Sequence, residues 1–239
     1  MPGRFTGFGA DSYAFLRGLA ESQSRDWFQR NRETYETHLR GPLGDLVEHV
    51  AAVYKKKKIP LIGTREKSLF RIYRNLRFSK DKTPYKTFVS AIWSRDGGRG
   101  SDGIIYVHID PAGSFLAAGH YQSEPPVLAA LRGAIRDNPA GFRKMIAALA
   151  KKDLVMKRDD VASRVPRGFE DVEADDLKDA LKLKSFIVSR PVDEDEVRTP
   201  DFVDTVLTFT TDVMPLLKFG WTATADLTPT TPPDGPADD

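Results

Sequence analysis

The chain contains no cysteine. This absence excludes disulfide bonds, a thiolate nucleophile and every cysteine-ligated metal site, and it favours a cytoplasmic protein, because disulfides are typical of oxidising compartments. Histidine is scarce as well. The four histidines lie at positions 38, 49, 108 and 120, and none belongs to a His-x-x-x-His or Glu-x-x-His pair. The sequence therefore predicts neither a metal site nor a bound cofactor.

Long hydrophobic runs are absent too. No apolar stretch approaches the roughly 20 residues that a membrane-spanning helix needs. The first five residues (Met-Pro-Gly-Arg-Phe) show no apolar segment of the secretory type. We therefore predict no association with a membrane. A chain of 239 residues with 40% hydrophobic and 29% charged residues is typical of a globular protein with a sizeable core.

The chain also lacks internal repeats and a convincing linker, so the sequence predicts one domain over residues 1–221. Residues 222–239 contain four prolines, four aspartates and repeated threonines. A segment of this composition cannot bury enough apolar surface to fold, and it predicts a disordered tail.

Positive charge is concentrated in one part of the chain. Residues 55–86 carry twelve lysines and arginines against Glu66 and Asp81, a net charge of +10, and the other 207 residues carry −8. Such a segment attracts anions locally although the whole chain carries only +2. The four lysines at 55–58 end a predicted helix and complement its dipole, which explains them without a ligand.

Apolar periodicity predicts helices towards both ends of the chain and strands between them. Helices are expected from about residue 11, from Ser24 to about Arg40, from Gly41 to about Lys58, and over 125–137, 139–151, 175–183 and 200–218. Strands are expected at 87–94, 104–110, 114–121 and 185–190. The sequence thus predicts a single α+β domain with N-terminal helices, a central, mainly antiparallel sheet and C-terminal helices.

The segment 69–78 carries the most informative pattern. Apolar residues such as Phe70 and Ile72 alternate with polar or aromatic ones, which indicates a half-buried strand with Arg74 intruding on the apolar face. A helix fits the same residues nearly as well. The residues from Ser79 to Pro84 that follow are typical of a turn.

In the extended interpretation, Arg71, Tyr73 and Arg77 share a face with Asn75. Guanidinium groups offer paired hydrogen bonds to phosphate or carboxylate, tyrosines can stack on bases, and the turn adds lysines and backbone N–H groups. The candidate ligand-binding residues are Arg71, Arg74, Arg77, Lys80, Lys82, Tyr85 and Lys86.

A structural explanation stays open for the same cations. They can pair with the acidic remainder of the chain, for example with the carboxylates of residues 170–179, instead of binding a ligand. Arg74, if it faces inward, is expected to belong to an ion pair.

Several short motifs resemble one known family. They are Phe5-x-Gly7-Phe8, Arg25-x-Trp27-Phe28-x-x-Asn31-Arg32-x-x-Tyr35, Phe70-Arg71-Ile72-Tyr73-Arg74, the block from Arg77 to Lys86, Gly119 ahead of Pro125, and Leu183-Lys184-Ser185-Phe186. Over roughly residues 4–219 the chain resembles the domain-of-unknown-function family 2461, and the Arg77–Lys86 block is specific. The resemblance implies an intracellular, single-domain α/β-type protein, and it supplies no activity.

The chain departs from the family pattern in two places. Asn75 stands where the family usually has aspartate, and Ser22-Gln23-Ser24 stands near a usual Asn-Asn pair. If that aspartate acts as a general base or a metal ligand, this chain lacks the group, and Asn75 keeps only its hydrogen bonding.

Three functions are compatible with this sequence. The favoured one is a binding module for a phosphate-bearing or other anionic ligand, either nucleic acid or a phosphorylated small molecule. The second is an enzyme in which Arg71 and Arg77 hold a small anion and Asp81, Tyr85 or a lysine of lowered pKa transfers a proton. A pocket lined by residues 71–86 and by His108 or His120 would favour the enzyme. The third is a structural or interaction protein with an internal ion-pair network.

Overall fold

Helices precede the sheet in the chain. The structure, a computed structural model, describes residues 3–75, 77 and 82–227. A single π-helical turn, Glu36–Arg40, connects α3 to α4. The N-terminal helices are α1 (Ala10–Glu21), α2 (Arg25–Arg30), α3 (Arg32–Tyr35), α4 (Gly41–Lys57) and α5 (Arg65–Ser68).

The middle of the chain forms a sheet. Its strands within the described residues are β1 (Val89–Trp93), β2 (Ile104–Ile109), β3 (Ser114–His120) and β4 (Phe186–Val192), in the order β1-β2-β3-β4. The sheet is antiparallel, and Ala91 of β1 lies opposite Val107 of β2. Every residue of β1 is buried, whereas buried and half-buried residues alternate along β2, as expected for a strand with one covered face.

Further helices flank the last strand. They are α6 (Pro125–Asp137), α7 (Pro139–Ala150), α8 (Asp175–Leu181), α9 (Glu194–Val197) and α10 (Phe202–Ala223). Two side chains cap helices: the Ser24 hydroxyl accepts a hydrogen bond from the Trp27 N–H, and the Asn138 side chain accepts one from the Gly141 N–H. Each satisfies an N–H group that the helix itself leaves without a partner.

The chain divides into two units, Met1–Ala117 with Ser189–Thr211, and Ala118–Val188 with Asp212–Asp239. In the first unit, the predicted apolar stripe of α4 is buried, and the Trp93 indole N–H donates to the Val47 carbonyl, 3.1 Å away. In the second, the buried residues of α6 and α7 include Leu131 and Phe142. The predicted α+β class and order of elements are confirmed. The prediction of one domain stays a prediction.

Two helix boundaries differ from the predictions. The helix that begins after Ser24 is interrupted at Asn31, whose side-chain amide donates to the Trp27 carbonyl. The last helix does not end before Gly220 but continues to Ala223. Gly220 stands inside it because a Cβ there would collide with the His120 ring. Residues 222 and 223 are therefore helical, and most of the predicted tail, 228–239, lies outside the described residues.

The segment 69–75 is extended and not helical. Leu69 bridges Ala91 and Tyr73 bridges Tyr85, both antiparallel, although the segment forms no regular strand. Ile72 is buried, and Arg71, Tyr73 and Asn75 are exposed. This alternation is the one that the extended interpretation predicts, and it positions the side chains of the candidate site. Helices long and apolar enough to cross a membrane are absent from the described residues.

Candidate functional site

A cavity of about 320 Å³ lies in the first unit, where α3, the π turn, α5 and the segment 69–73 meet. Glu36 and Glu66 are the carboxylates among its lining residues, and the lining arginines outnumber them by three. The arginines are Arg32, Arg40, Arg65, Arg71 and Arg99. We call this feature the arginine cavity. Its wall has an excess of positive charge, and a concave wall strengthens the potential that such charges produce.

Aromatic side chains form the other part of the wall. They are Phe28, Tyr35, Phe70 and Tyr73. Burial raises the pKa of Tyr35 to about 12, and the nearby Glu36 acts in the same direction, so the Tyr35 hydroxyl stays neutral at physiological pH. Tyr73 is 50% exposed and packs edge-on against Phe28, with ring centroids 5.6 Å apart. A half-exposed ring can contact the apolar part of a bound molecule.

Arg65 is held in place by structural partners. Thr64 caps α5 by accepting a hydrogen bond from the Lys67 N–H. The Arg65 guanidinium then donates to Asp45 at 2.6 Å, to Glu48 at 3.2 Å and to the Gly41 carbonyl at 3.1 Å. These partners lie on α4, so Arg65 ties α5 to α4 and has few donors left for a ligand.

The π turn contributes a pair of opposite charges. Glu36 and Arg40, the first and last residues of the turn, form a salt bridge of 3.1 Å, and both line the arginine cavity. Because both side chains are substantially exposed, the pair contributes little to stability. Single π turns occur frequently at functional sites.

Arg99 is positioned by the glycine-rich loop that follows β1. Burial opposes ionisation of Asp96, but hydrogen bonds from Ser101, the Gly98 N–H and Ser94 hold its pKa below the ordinary value. This carboxylate organises the loop. Arg99 donates to the Leu69 carbonyl at 3.2 Å and lies over the Phe70 ring, 5.9 Å from its centroid. The loop thereby places a guanidinium at the cavity wall.

Arg32 and Arg71 are two further exposed arginines at the cavity wall. Arg32 is in the first turn of α3 and, among the described residues, forms no salt bridge or side-chain hydrogen bond. Arg71 lies in the extended segment, whose backbone is fixed on both sides: the Phe70 N–H donates to Ser90 and the Ile72 carbonyl accepts from Lys86. Both side chains are exposed, so a ligand in the cavity can approach their guanidinium groups from solvent.

The other predicted site residues lie in different surroundings. The Arg74 Nε donates to the Tyr85 carbonyl at 2.9 Å, so this half-buried arginine links the two antiparallel segments. Tyr85 is buried and its ring stacks on Phe28 at 4.5 Å, which leaves no open face for a base. Its N–H donates to Gln23. Of the predicted residues that the structure describes, Arg71 alone lines the arginine cavity.

The predicted cationic turn is described only in part. Arg77 and Lys82 are exposed, and Lys80 lies outside the described residues. Asn75, which replaces the aspartate usual in the family, accepts a hydrogen bond from the Arg77 N–H at 3.1 Å. An aspartate could accept the same bond, so this turn does not explain the replacement.

Lys86 lies between two aromatic rings. Its Nζ is 5.7 Å from the centroid of Phe70 and 5.8 Å from that of Phe88. Burial is the main reason that the pKa of Lys86 is lowered, and the positive charges of Arg74, Arg99 and Arg71 lower it further.

His108 does not line the arginine cavity among the residues described. Its ring stacks on Phe115 with centroids 4.6 Å apart, and its Nδ1 lies 3.0 Å from the Tyr106 hydroxyl. Burial lowers the pKa of His108, and Asp110, 3.5 Å from Nε2, partly opposes this shift. His120 is buried in the second unit. The pocket that would favour an enzyme was expected to include one of these histidines, and the arginine cavity does not.

Sequence reasoning missed four of the five lining arginines. Arg65 was counted within the basic segment, and Arg32 within a family motif, without being assigned to a site. Arg40 and Arg99 carried no signal, because a helix C-terminus and a glycine-rich loop both have ordinary explanations for an arginine. The cavity brings together arginines up to 67 positions apart, from Arg32 to Arg99, and no local sequence pattern predicts that.

The acidic segment 170–179 pairs within its own unit. Asp176 binds Arg143 through two hydrogen bonds, and Asp179 forms salt bridges with Arg158 and Lys182. These carboxylates therefore have local partners. No group of three or more His, Asp or Glu side chains in the described part of the chain is arranged to hold a metal ion.

Comparison with known proteins gives one match. The model of the family described as "Conserved hypothetical protein (DUF2461)" matches residues 11–219. No curated protein and no solved structure matches the chain. The match includes every residue that lines the arginine cavity. Because it covers most of the sequence, the chain belongs to the DUF2461 family.

Proposed function

We propose that the protein binds a small phosphate-bearing ligand in the arginine cavity. The observation that carries this proposal is the meeting of five arginines and only two glutamates in one concave site. Charge-assisted hydrogen bonds from guanidinium groups to phosphate are among the strongest polar contacts in proteins, and their planar geometry fits two phosphate oxygens at once.

The arginines of the cavity fall into two groups, and this difference supports a binding site. Arg65 and Arg40 are paired with carboxylates, and Arg99 donates to a backbone carbonyl. Arg32 and Arg71 are exposed at the wall. The first group therefore sets the positive potential and the shape of the cavity, and the second group supplies the direct contacts.

The dimensions of the cavity favour a small ligand. About 320 Å³ is at the lower end of the roughly 300–1,000 Å³ typical of small-molecule sites. A single phosphorylated metabolite or one nucleotide unit fits this description better than a duplex. Because Tyr73 exposes half of its surface at the wall, we expect a ligand with a planar or apolar part to bind more tightly than phosphate alone.

Isothermal titration calorimetry tests the proposal with four probes: inorganic phosphate, ribose 5-phosphate, adenosine 5′-monophosphate and adenosine. We expect the three phosphates to bind and their affinity to fall as salt is raised, and we expect adenosine to bind weakly or not at all. Adenosine 5′-monophosphate should bind more tightly than ribose 5-phosphate if its ring contacts Tyr73.

The matched control is Arg30→Ala. Arg30 is exposed at the end of α2, carries the same charge as Arg32 and does not line the cavity. If Arg71→Ala weakens phosphate binding and Arg30→Ala does not, the effect comes from the cavity and not from net charge. Absence of phosphate binding at low salt would refute the proposal.

The predicted cytoplasmic location and the choice between a small molecule and nucleic acid both stay predictions. Short single-stranded oligonucleotides in the same titration distinguish the two kinds of ligand. A polynucleotide that contacts several phosphates should lose affinity much more steeply with salt than a mononucleotide.

A further inference from the structure

We propose that Lys86 is a nucleophilic amine that forms an imine with a carbonyl group of the anionic ligand. This inference rests on the proposed function, because it assumes that the arginine cavity holds the anionic part of the molecule. It adds a reactive group beside the cavity and a chemical class of substrate: a small aldehyde or ketone that carries a phosphate or carboxylate.

The first observation is the contact set of the Lys86 amine. The Nζ lies over the rings of Phe70 and Phe88, and the described residues provide no carboxylate within salt-bridge distance of it. Other described lysines have such partners, for example Lys184 with Asp160 at 2.6 Å. Cation–π attraction to the two rings favours the ammonium form, but Lys86 lacks the carboxylate partner that most firmly keeps a lysine protonated.

The second observation is the set of charges around it. Arg71, Arg74 and Arg99 all act on Lys86, together with partial burial, and each of these influences favours the neutral amine. A lysine that is desolvated or placed beside other cations is a standard way to obtain a free amine for Schiff-base chemistry near neutral pH. Other titratable side chains belong to the same cluster: the His108 ring is 4.2 Å from that of Phe88 between centroids, Tyr106 contacts Phe70, and Asp110 lies 3.5 Å from His108.

The third observation is the position of the amine relative to the arginine cavity. Phe70 lines the cavity, and the same ring has the Arg99 guanidinium at 5.9 Å and the Lys86 Nζ at 5.7 Å from its centroid. Lys86 is only half-buried, so small solutes can reach it. An anion held by Arg99 would therefore lie near the ring that the amine also contacts.

The reaction is balanced without a further reagent. The lone pair of the neutral amine forms a C–N bond to the carbonyl carbon while the carbonyl π electrons move to oxygen. The oxygen then leaves as water with the two protons that the nitrogen carried, and the product is an imine. Reduction with borohydride converts the imine into a stable secondary amine, which marks the lysine that formed it.

The experiment compares two aldehydes as probes on the full chain, glycolaldehyde phosphate and glycolaldehyde. Each is incubated with the protein and sodium cyanoborohydride, and labelled lysines are identified by peptide mass spectrometry. We expect Lys86 to be labelled several-fold faster than the exposed Lys56 and Lys82. We also expect the phosphate probe to label Lys86 roughly tenfold faster than the uncharged probe, since one charge-assisted contact is worth about that factor.

Three variants complete the test. Lys86→Arg should lose the fast labelling, and Lys56→Arg should keep it. Arg71→Ala should remove the advantage of the phosphate probe while Lys86 still reacts with glycolaldehyde.

If phosphate binds in the calorimeter but Lys86 reacts no faster than Lys56, this inference is wrong and the proposed function stands. If Lys86 reacts fast with both probes equally, the anionic class of substrate is wrong, and phosphate binding in the calorimeter decides the proposed function separately.

Discussion

The chain contains a second cavity, in the second unit, that differs instructively from the arginine cavity. It lies among α6, α7 and the end of α10, and its volume of about 590 Å³ exceeds the 320 Å³ of the first. Its wall includes Met145 and Phe219, and its cations are Lys144 and Lys218. Volume alone would favour this second cavity, whereas the proposed anion site is the smaller one.

The difference lies in how the cations are held. Lys144 and Lys218 are exposed lysines on helices, and a lysine on a long, flexible stem loses much entropy when it is fixed on a ligand. In the arginine cavity, Arg65 is fixed by Asp45 and Glu48, and Arg99 by the Leu69 carbonyl. The proposal of an anion site therefore rests on guanidinium groups that the protein already holds in place, and not on the volume of the cavity.

The largest expected effect concerns Arg32 and Arg71. The double substitution Arg32→Ala/Arg71→Ala should weaken phosphate binding by about 100-fold or more, because each lost charge-assisted hydrogen bond costs about 1.5–3 kcal/mol. Thermal unfolding should change little, since both side chains are exposed. Isothermal titration calorimetry measures the phosphate affinity, and differential scanning calorimetry of the same preparations measures thermal unfolding. A large loss of stability with the loss of binding would instead favour a structural role.

A second variant separates the arginine that builds the cavity from those that contact the ligand. Arg65→Ala should lower the free energy of unfolding by about 1–2 kcal/mol, because it removes three hydrogen bonds and leaves Asp45 and Glu48 partly buried side by side. Urea unfolding measures this effect. Arg30→Ala, which removes an exposed arginine without these partners, should stay within about 0.5 kcal/mol of the unmodified chain. Equal stability of the two variants would show that Arg65 is dispensable for the fold.

The smallest expected effect concerns His108, in the aromatic cluster behind the arginine cavity. The Tyr106 ring contacts both Phe70 and His108, with centroids 6.0 Å away in each case. Because burial lowers the pKa of His108 below 6.5, the unfolded chain binds more protons than the folded chain as the pH falls. Above about pH 6.5, His108 is neutral in both states and does not reduce the free energy of unfolding. As the pH falls from there towards the pKa of His108 in the folded chain, protonation of the unfolded chain lowers that free energy.

Urea unfolding between about pH 5 and pH 8 checks this expectation. His108→Gln should reduce the dependence of stability on pH across this range, and His38→Gln, at a more exposed histidine, serves as the control. An unchanged pH dependence in His108→Gln would mean that burial of the ring does not oppose its protonation.

The fold could be predicted well because its elements carry local signals. The stripe on α4, the proline at the start of α7 and the alternation along β2 each follow from one stretch of sequence. The interruptions could not be predicted in this way. Asn31 and Gly220 resemble ordinary helix residues or stops, and their effect depends on the partners Trp27 and His120.

The site could be predicted only in part, for a similar reason. The basic segment identified Arg71, because its alternation fixed which side chains point outward. Charge alone could not separate Arg71 from Arg74, which is occupied by the Tyr85 carbonyl. Nor could it find Arg99, which reaches the cavity only because Asp96 organises its loop. Charge density located the neighbourhood, and tertiary contacts decided which residues line the cavity.

One measurement tests the central claim most directly: calorimetric titration of inorganic phosphate into the unmodified chain, Arg32→Ala/Arg71→Ala and Lys144→Ala/Lys218→Ala at low salt. Each double variant removes two positive charges from one cavity, so the loss of net charge is matched. The account predicts that the arginine variant loses phosphate binding and that the lysine variant keeps the affinity of the unmodified chain. Equal losses in both variants, or loss in the lysine variant alone, would contradict it.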